Sequence, residues 1–196
     1  MQLCPALLSR AAQPAAVADM SKNHARGSTK PSLPDIVRPE MKVLFVGINP
    51  ALESVRVGHY HQGRLGRRFW RVLVEGGLLP EPAPGRFHDE YLLKSGLGIT
   101  DLVKRPTRSA REVTRAELEA GRKRVLRIIG RCRPRVVCGV YKRALEVLLG
   151  RRLTGEWGLL EGERIAGARV LALRWAYVEW EVALASVREL RRVAEV

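Results

Sequence analysis

Asn49 and Asp101 are the two side chains whose types and positions best suit chemistry on a bound ligand. Asn49 ends the apolar run 43–48, which is typical of a buried parallel strand, and the Gly-Ile-Asn-Pro sequence then turns the chain out of the sheet. Ligands of open α/β sheets bind at the carboxyl edge of the strands, where Asn49 is therefore expected. Asp101 lies in segment 96–103, which is predicted to be a loop or short strand.

Each of these side chains also has a purely local interpretation. Asn49 could satisfy only its own turn, as Asn commonly does. Asp101 could cap the following segment or pair with Lys104 or Arg105. In the functional interpretation, the Asn49 amide orients a water molecule, and the more basic Asp101 carboxylate supplements it. The sequence around Asn49 and Asp101 leaves both the local and the functional interpretation open.

Helices and strands alternate around these positions. Apolar periodicity predicts strands at 42–47, 135–140 and 169–173, and helices at 68–76, 89–94, 114–130, 141–149 and 181–196. Thr114 and Glu117 form a capping box at the start of the long basic helix. The alternation predicts an α/β fold: a single domain with a small central, mostly parallel sheet flanked by helices.

Composition indicates one basic domain. The chain has 196 residues, of which 46% are apolar, enough for one hydrophobic core. Lys and Arg number 35 against 20 Asp and Glu, and the net charge of +15 favours a polyanionic partner such as nucleic acid. A genome of high GC content, which raises Arg usage without any function, would also give this charge. Residues 1–38 show no sustained periodicity and are predicted to be a disordered basic tail before a domain at 39–196.

Cysteine content and hydropathy predict an intracellular, cytoplasmic protein. Cys4, Cys132 and Cys138 cannot form a fully paired disulfide framework, and they do not supply four thiolates for a zinc or iron–sulfur site. No apolar run reaches the roughly 18 residues that a membrane span needs, so no membrane association is expected.

Several segments of the chain match one family in order. They are Gly47-Ile48-Asn49-Pro50, Gly58-His59-Tyr60-His61, Arg68-Phe69-Trp70, the stretch from Gly98 to Thr107 with its Arg-Pro-Thr sequence, and the helix after Thr114 with the strand that follows it. Together they resemble the mismatch-specific uracil and thymine DNA glycosylases of the uracil-DNA glycosylase superfamily. The resemblance covers roughly residues 42–173.

The resemblance implies an enzyme of base excision repair. Such an enzyme hydrolyses the N-glycosidic bond of uracil, or of a related damaged pyrimidine, in mispaired DNA and leaves an abasic site. Its implied partner is double-stranded DNA that contains uracil or mispairs, and it is expected to act as a monomer without a cofactor or metal. Asn49 would position the attacking water, Asp101 would assist, and Gly47, Ile48 and Pro50 would cradle the base.

The loop 58–61 and the aromatic pair after it complete the implied base pocket. Tyr60 and His61 are both candidates for stacking on the flipped base, because the loop is one residue longer than in the family. Phe69 is expected to contribute to the same pocket. His59 and His61 lack a third ligand at metal-binding spacing, so DNA contact or stacking is the preferred interpretation.

Basic residues near the pocket are predicted to contact phosphates. Lys104, Arg105 and Arg108 follow the second matching segment and are the main candidates. Arg174 follows the last strand and is assigned to DNA binding with Trp175. The basic face of the helix after Thr114 is interpreted as solvated.

The segment 174–180 departs from the family. The family has a Pro-, Ser- and Gly-containing loop here that wedges into the duplex, and this sequence has none of those residues. Trp175 or Tyr177 could serve as a replacement wedge, or both could pack in the core. Compensating frameshifts would produce the same change. Ala51 also replaces the Gly that usually follows Asn-Pro.

Two other functions remain open. One is a catalytically weak or inactive relative that only recognises nucleic acid or damage, which the altered segment 174–180 would favour. The other is an unrelated α/β enzyme for a small phosphorylated ligand, although no Gly-rich phosphate-binding motif supports it.

Overall fold

The computed structural model describes residues 32–195. Its strands are β1 (Val43–Gly47), β2 (Leu97–Asp101), β3 (Val136–Gly139), β4 (Gly158–Ile165) and β5 (Ala168–Ala172). Its helices are α1 (Leu52–Val57), α2 (Arg64–Glu75), α3 (Arg115–Cys132), α4 (Lys142–Leu149) and α5 (Trp180–Glu195). Short 3₁₀ turns lie at His88–Tyr91, Leu93–Ser95 and Ala110–Glu112. None of the helices in this part of the chain is long and apolar enough to span a membrane.

The strands form one five-stranded sheet in the order β2-β1-β3-β5-β4. β1, β2, β3 and β5 run parallel, and β4 pairs antiparallel with β5 at the edge. The register places Gly47, the last residue of β1, opposite Asp101, the last residue of β2. The carboxyl ends of the two strands therefore bring the two polar segments singled out in the sequence to the same edge.

Both faces of the sheet are covered by helices. Val43 and Phe45 belong to the hydrophobic cluster that contains α2 and α5, whereas Leu44 and Val46 belong to the cluster that contains α3 and α4. Every residue of β1 is buried, which explains why the strand reads as a continuous apolar run rather than an alternating one. The predicted fold class, a single α/β domain with a mostly parallel sheet, is confirmed.

The capping box of α3 is also confirmed. The Thr114 hydroxyl accepts a hydrogen bond from the Glu117 N–H at 3.2 Å, and the Glu117 carboxylate accepts from the Thr114 N–H at 2.9 Å. These bonds satisfy donors that the first turn of a helix leaves without partners.

Several local predictions were incomplete. The segment predicted as helix 89–94 forms two 3₁₀ turns, and α1 and β4 were not predicted. β4 is an edge strand whose middle residues are largely solvated, with charged Glu161 and Glu163 and an irregular register, so it lacks the apolar signal of the central strands.

The amino-terminal boundary of the folded part also differs from the prediction. Residues 32–38 were assigned to the tail, but Leu33 is buried and Ile36 forms an antiparallel bridge with Ile99 of β2. The remainder of the predicted tail, residues 1–31, lies outside the described residues.

Candidate active site

A cavity of about 630 Å³ opens at the carboxyl edge of β1 and β2. Its walls come from the loop after β1, from α1 and the loop that precedes α2, and from the segment after β2. Beyond the sheet, the two loops continue side by side, because the Val103 N–H bonds to the Ile48 carbonyl at 2.8 Å and Ala51 bridges Thr107. This extension holds Ile48, Asn49 and Pro50 in the cavity wall.

The side chain of Asn49 is anchored through its amide nitrogen. Nδ2 donates to Thr107 Oγ1 at 2.7 Å and to the carbonyls of Pro50 and Arg105 at 3.2 and 3.3 Å. The Thr107 hydroxyl donates in turn to the Ser109 carbonyl at 2.8 Å, so its lone pairs face the amide. The Asn49 carbonyl oxygen is thus the part of the amide left to accept a hydrogen bond from a ligand or water.

Asp101 is a buried carboxyl in the same cavity. Its side chain is nearly inaccessible, and within residues 32–195 its Oδ2 atom has no hydrogen-bond partner. Burial raises the pKa of Asp101 to about 7, although Lys104 and Arg124 act to lower it. A carboxyl with this pKa can accept a proton near neutral pH.

Gly47 makes room for this carboxyl. A Cβ atom at position 47 would overlap Asp101 Oδ1, which lies directly over the end of β1. Gly47 was predicted to contact the substrate, but it is absent from the described cavity wall. In the structure, Gly47 leaves the space that the Asp101 carboxyl occupies beside the end of β1.

Tyr60 and His61 both line the cavity. The Tyr60 hydroxyl donates to the Pro34 carbonyl at 2.9 Å, and burial raises the pKa of Tyr60 well above its usual value. Burial lowers the pKa of His61 to about 4, so its imidazole is neutral at physiological pH. His61 Nε2 is enclosed and has no partner among the described residues.

Phe69 and Trp175 lie beneath the cavity and not in its wall. Phe69 is fully buried, with its ring centroid 4.3 Å from that of His61, so it supports His61 and does not reach a ligand. Trp175 is equally buried, and its Nε1 donates to the Val140 carbonyl at 2.6 Å. The assignment of Trp175 to DNA binding is therefore wrong, and the core-packing alternative is correct for this residue.

Tyr177 is the residue of segment 174–180 that is both exposed and in the cavity wall. It is 87% exposed, lines the cavity and adopts a positive φ of 56°. Arg174 is exposed too, with its guanidinium 5.9 Å from the centroid of the Trp157 ring.

The basic residues after β2 (Lys104, Arg105 and Arg108) differ in their ion-pair partners and exposure. Lys104 Nζ pairs with Asp35 at 2.8 Å, and Arg105 forms a two-point ion pair with Glu117. Both cations are engaged by carboxylates in this structure, and their assignment to phosphate contact stays a prediction. Arg108 is exposed and lines the cavity, as its predicted role requires.

Several side chains at or next to the site were not assigned a role from the sequence, among them Asp35, Thr107, Tyr141 and Arg143. Tyr141 and Arg143 enter the cavity wall from the segment after β3, which is also a parallel strand ending at this edge. Their position directly after a predicted parallel strand could have identified them from the sequence. Asp35 could not have been identified in this way, because it precedes β1.

The two histidines of loop 58–61 do not form a metal pair. His59 Nδ1 bonds to Asp89 Oδ1 at 2.8 Å, and its ring stacks on Phe87 at 3.7 Å. Across residues 32–195, no group of three or more His, Cys, Asp or Glu side chains is arranged to hold a metal ion.

Comparison with known families identifies the class of this protein. The model of the uracil DNA glycosylase superfamily matches residues 34–181, which include all five strands and every cavity-lining residue except Leu33. The chain therefore belongs to the uracil DNA glycosylase superfamily. Membership indicates a DNA glycosylase, a hydrolase of DNA repair that acts on DNA, and the sheet with its flanking helices agrees with that fold.

Proposed function

We propose that this protein is a monofunctional, mismatch-specific uracil-DNA glycosylase that removes uracil, or a related damaged pyrimidine, from duplex DNA. The observation that carries the proposal is that one cavity holds an anchored amide, Asn49, and a buried carboxyl, Asp101, whose Oδ2 atom has no hydrogen-bond partner among the described residues. The resemblance of segments 47–50 and 98–107 to mismatch-specific members supports the narrower assignment.

In the proposed reaction, Asn49 and Asp101 act on one water molecule. The Asn49 carbonyl oxygen accepts a hydrogen bond from the water and aims it at C1′ of the flipped nucleotide. Asp101, about half ionised at pH 7 and more fully ionised above it, takes the proton as the water oxygen bonds to C1′. The electron pair of the N-glycosidic bond leaves with the base, and backbone donors near Ile48 stabilise the negative charge.

A hydrolytic outcome is supported by the surroundings of the cavity. Covalent catalysis with strand cleavage would need an amine nucleophile facing the sugar. Among the described residues that line the cavity there is no lysine. The nearby Lys104 amine is engaged by Asp35 at 2.8 Å and Tyr60 at 3.3 Å. We therefore expect an abasic site and an intact strand before alkali treatment.

Recognition of the base is assigned to the enclosed part of the cavity. The neutral His61 imidazole and the Tyr60 ring offer stacking surface, and Ile48 closes the apolar side. Extrusion of the nucleotide is assigned to exposed residues at the mouth: Arg108 and Arg143 for phosphates, and Tyr177 as the side chain that fills the gap in the duplex.

The experiment is a substrate panel under single-turnover conditions. Labelled duplexes with one G·U, A·U or G·T pair, and a single strand with one uracil, are incubated with excess protein and then treated with alkali. The proposal predicts cleavage after alkali only, fastest for G·U. Equal rates for G·U and A·U would contradict mismatch specificity, and binding of every substrate without abasic product would indicate a binding protein without glycosylase activity.

A further inference from the structure

Residues 32–36 form part of the site, although they precede the first strand. Leu33 is buried and lines the cavity. Ile36 and Ile99 exchange backbone hydrogen bonds of 3.0 and 2.9 Å, which fixes the segment along the outer side of β2. Asp35 is thereby held next to Thr100 and close to the carboxyl end of that strand.

The Asp35 carboxylate binds two cations at once. Its Oδ1 accepts from Lys104 Nζ at 2.8 Å and from Thr100 Oγ1 at 2.6 Å, and its Oδ2 accepts from Arg124 Nη1 at 2.5 Å. Burial raises the pKa of Asp35, but Lys104 and Arg124 outweigh burial and hold the pKa below its usual value. Asp35 is therefore ionised throughout the physiological pH range.

The same two cations adjoin Asp101. Arg124 Nη2 donates to the backbone carbonyl of Asp101, and Lys104 follows Asp101 by three residues. Both cations also act to lower the pKa of the Asp101 carboxyl. Nevertheless, neither forms an ion pair with the Asp101 side chain in the described structure, and both are bound by Asp35.

We propose that Asp35 is a positioning residue for the reaction: it holds Lys104 and Arg124 away from the Asp101 carboxyl, which stays unpaired and able to accept a proton. This role rests on the proposed function of Asp101 as the base. An Asp101 paired directly with Lys104 or Arg124 would be a weaker base and would not be free to approach a water molecule.

Several other ionisable side chains line the cavity with Asp101 or influence its ionisation. They are Asp35, Tyr60, His61, Arg64, Lys104, Arg108, Arg124, Tyr141, Arg143 and Tyr177. Burial raises the pKa values of Tyr60 and Tyr141 and lowers that of His61, so these three are neutral at pH 7. The charges that act on Asp101 are those of Asp35, which raises its pKa, and of Lys104 and Arg124, which lower it.

The test uses two variants with opposite expected effects. Asp35→Asn keeps the shape of the side chain but releases both cations, so the pKa of Asp101 falls, by about one unit. Lys104→Gln removes one cation, so the pKa of Asp101 rises. Glu40→Gln is the control, because Glu40 lies between this segment and β1 and pairs with Arg133 in an exposed ion pair.

Two readouts are measured for each protein. The first is the pH dependence of single-turnover uracil excision, in which the acid limb reports ionisation of the base. The second is a carbon-13 NMR titration of the Asp101 carboxyl, which requires no activity. We expect Asp35→Asn to shift both midpoints to lower pH, Lys104→Gln to shift both to higher pH, and Glu40→Gln to leave both unchanged.

A merely structural role for Asp35 would lower the rate at every pH and leave the midpoint in place, and that result would overturn the inference. If Asp35→Asn does not fold, Lys104→Gln decides: an unchanged titration midpoint would overturn the inference, and an upward shift would support it. If the wild-type protein releases no uracil at any pH, the proposed function fails, and the NMR titration still decides whether Asp35 controls Asp101.

Discussion

Replacing Asp101 with Asn should stabilise the protein while removing its activity. Asp101 is buried without a partner for Oδ2 within the described chain, so its ionised form carries an uncompensated desolvation cost. The Asn side chain has nearly the same shape and cannot ionise. The substitution therefore removes the cost of the charge and leaves the packing over Gly47 in place.

The magnitude follows from the shift in the pKa of Asp101 from 3.8 to about 7. Each unit corresponds to about 1.4 kcal/mol, so the cost of ionising Asp101 in the folded protein is at most about 4 kcal/mol. The unfolded chain releases the proton near the lower value and the folded chain near the higher one. Stability is therefore lost as pH rises from about 4 to about 7, and Asp101→Asn avoids that loss.

Urea unfolding of wild type and Asp101→Asn at pH 5 and pH 8 measures this effect. We expect the variant to be more stable by about 1–4 kcal/mol at pH 8 and by clearly less at pH 5. Glu40→Gln, a change at an exposed ion pair, should show no such pH dependence. A difference for Asp101→Asn that is equal at both pH values, or a loss of stability at pH 8, would refute the reasoning.

Three further changes test other parts of the site. Gly47→Ala should cost about 1–3 kcal/mol in unfolding free energy, measured by thermal unfolding, because the added Cβ displaces the Asp101 carboxyl. For the same reason it should lower the single-turnover rate of excision by about tenfold or more. Thr107→Val should reduce excision about tenfold or more, since the 2.7 Å hydrogen bond that orients Asn49 is lost; a rate equal to wild type would show that this bond does not position the amide. Tyr177→Ala should change the free energy of unfolding by less than about 0.5 kcal/mol, because the side chain is 87% exposed. The same variant should lose more excision activity on duplex DNA than on single-stranded DNA. Equal losses on both substrates would contradict the wedge role.

The central sheet could be predicted from the sequence because its strands are short apolar runs followed by clear turns. β1 and β3 are buried on both faces, so burial alone produces their signal. β4 was missed because an antiparallel edge strand needs few apolar residues. The packing of residues 32–38 was missed for a related reason: a single pair of backbone bonds to Ile99 and a buried Leu33 leave no periodic pattern.

The sequence predicted those site residues that lie in motifs at the ends of strands. Asn49 and Asp101 lie in one cavity, as their positions after β1 and within β2 suggested. The partners of the charged residues could not be predicted, because ion pairs such as Lys104 with Asp35 join residues far apart in the chain. The burial of Trp175 could not be predicted either, since an aromatic residue after a strand can lie in the core or on the surface.

The role of Asp101 as the base is tested most directly by the pH dependence of single-turnover uracil excision from a G·U duplex by wild type, Asn49→Ala and Asp101→Asn. We expect the wild-type rate to fall as the pH drops below about 7. Asp101→Asn should lose about 10²–10⁴-fold in rate together with this acid limb, and Asn49→Ala should have a lower rate with the limb retained. Excision by Asp101→Asn at the wild-type rate, with the same pH dependence, would contradict the assignment of Asp101 as the base.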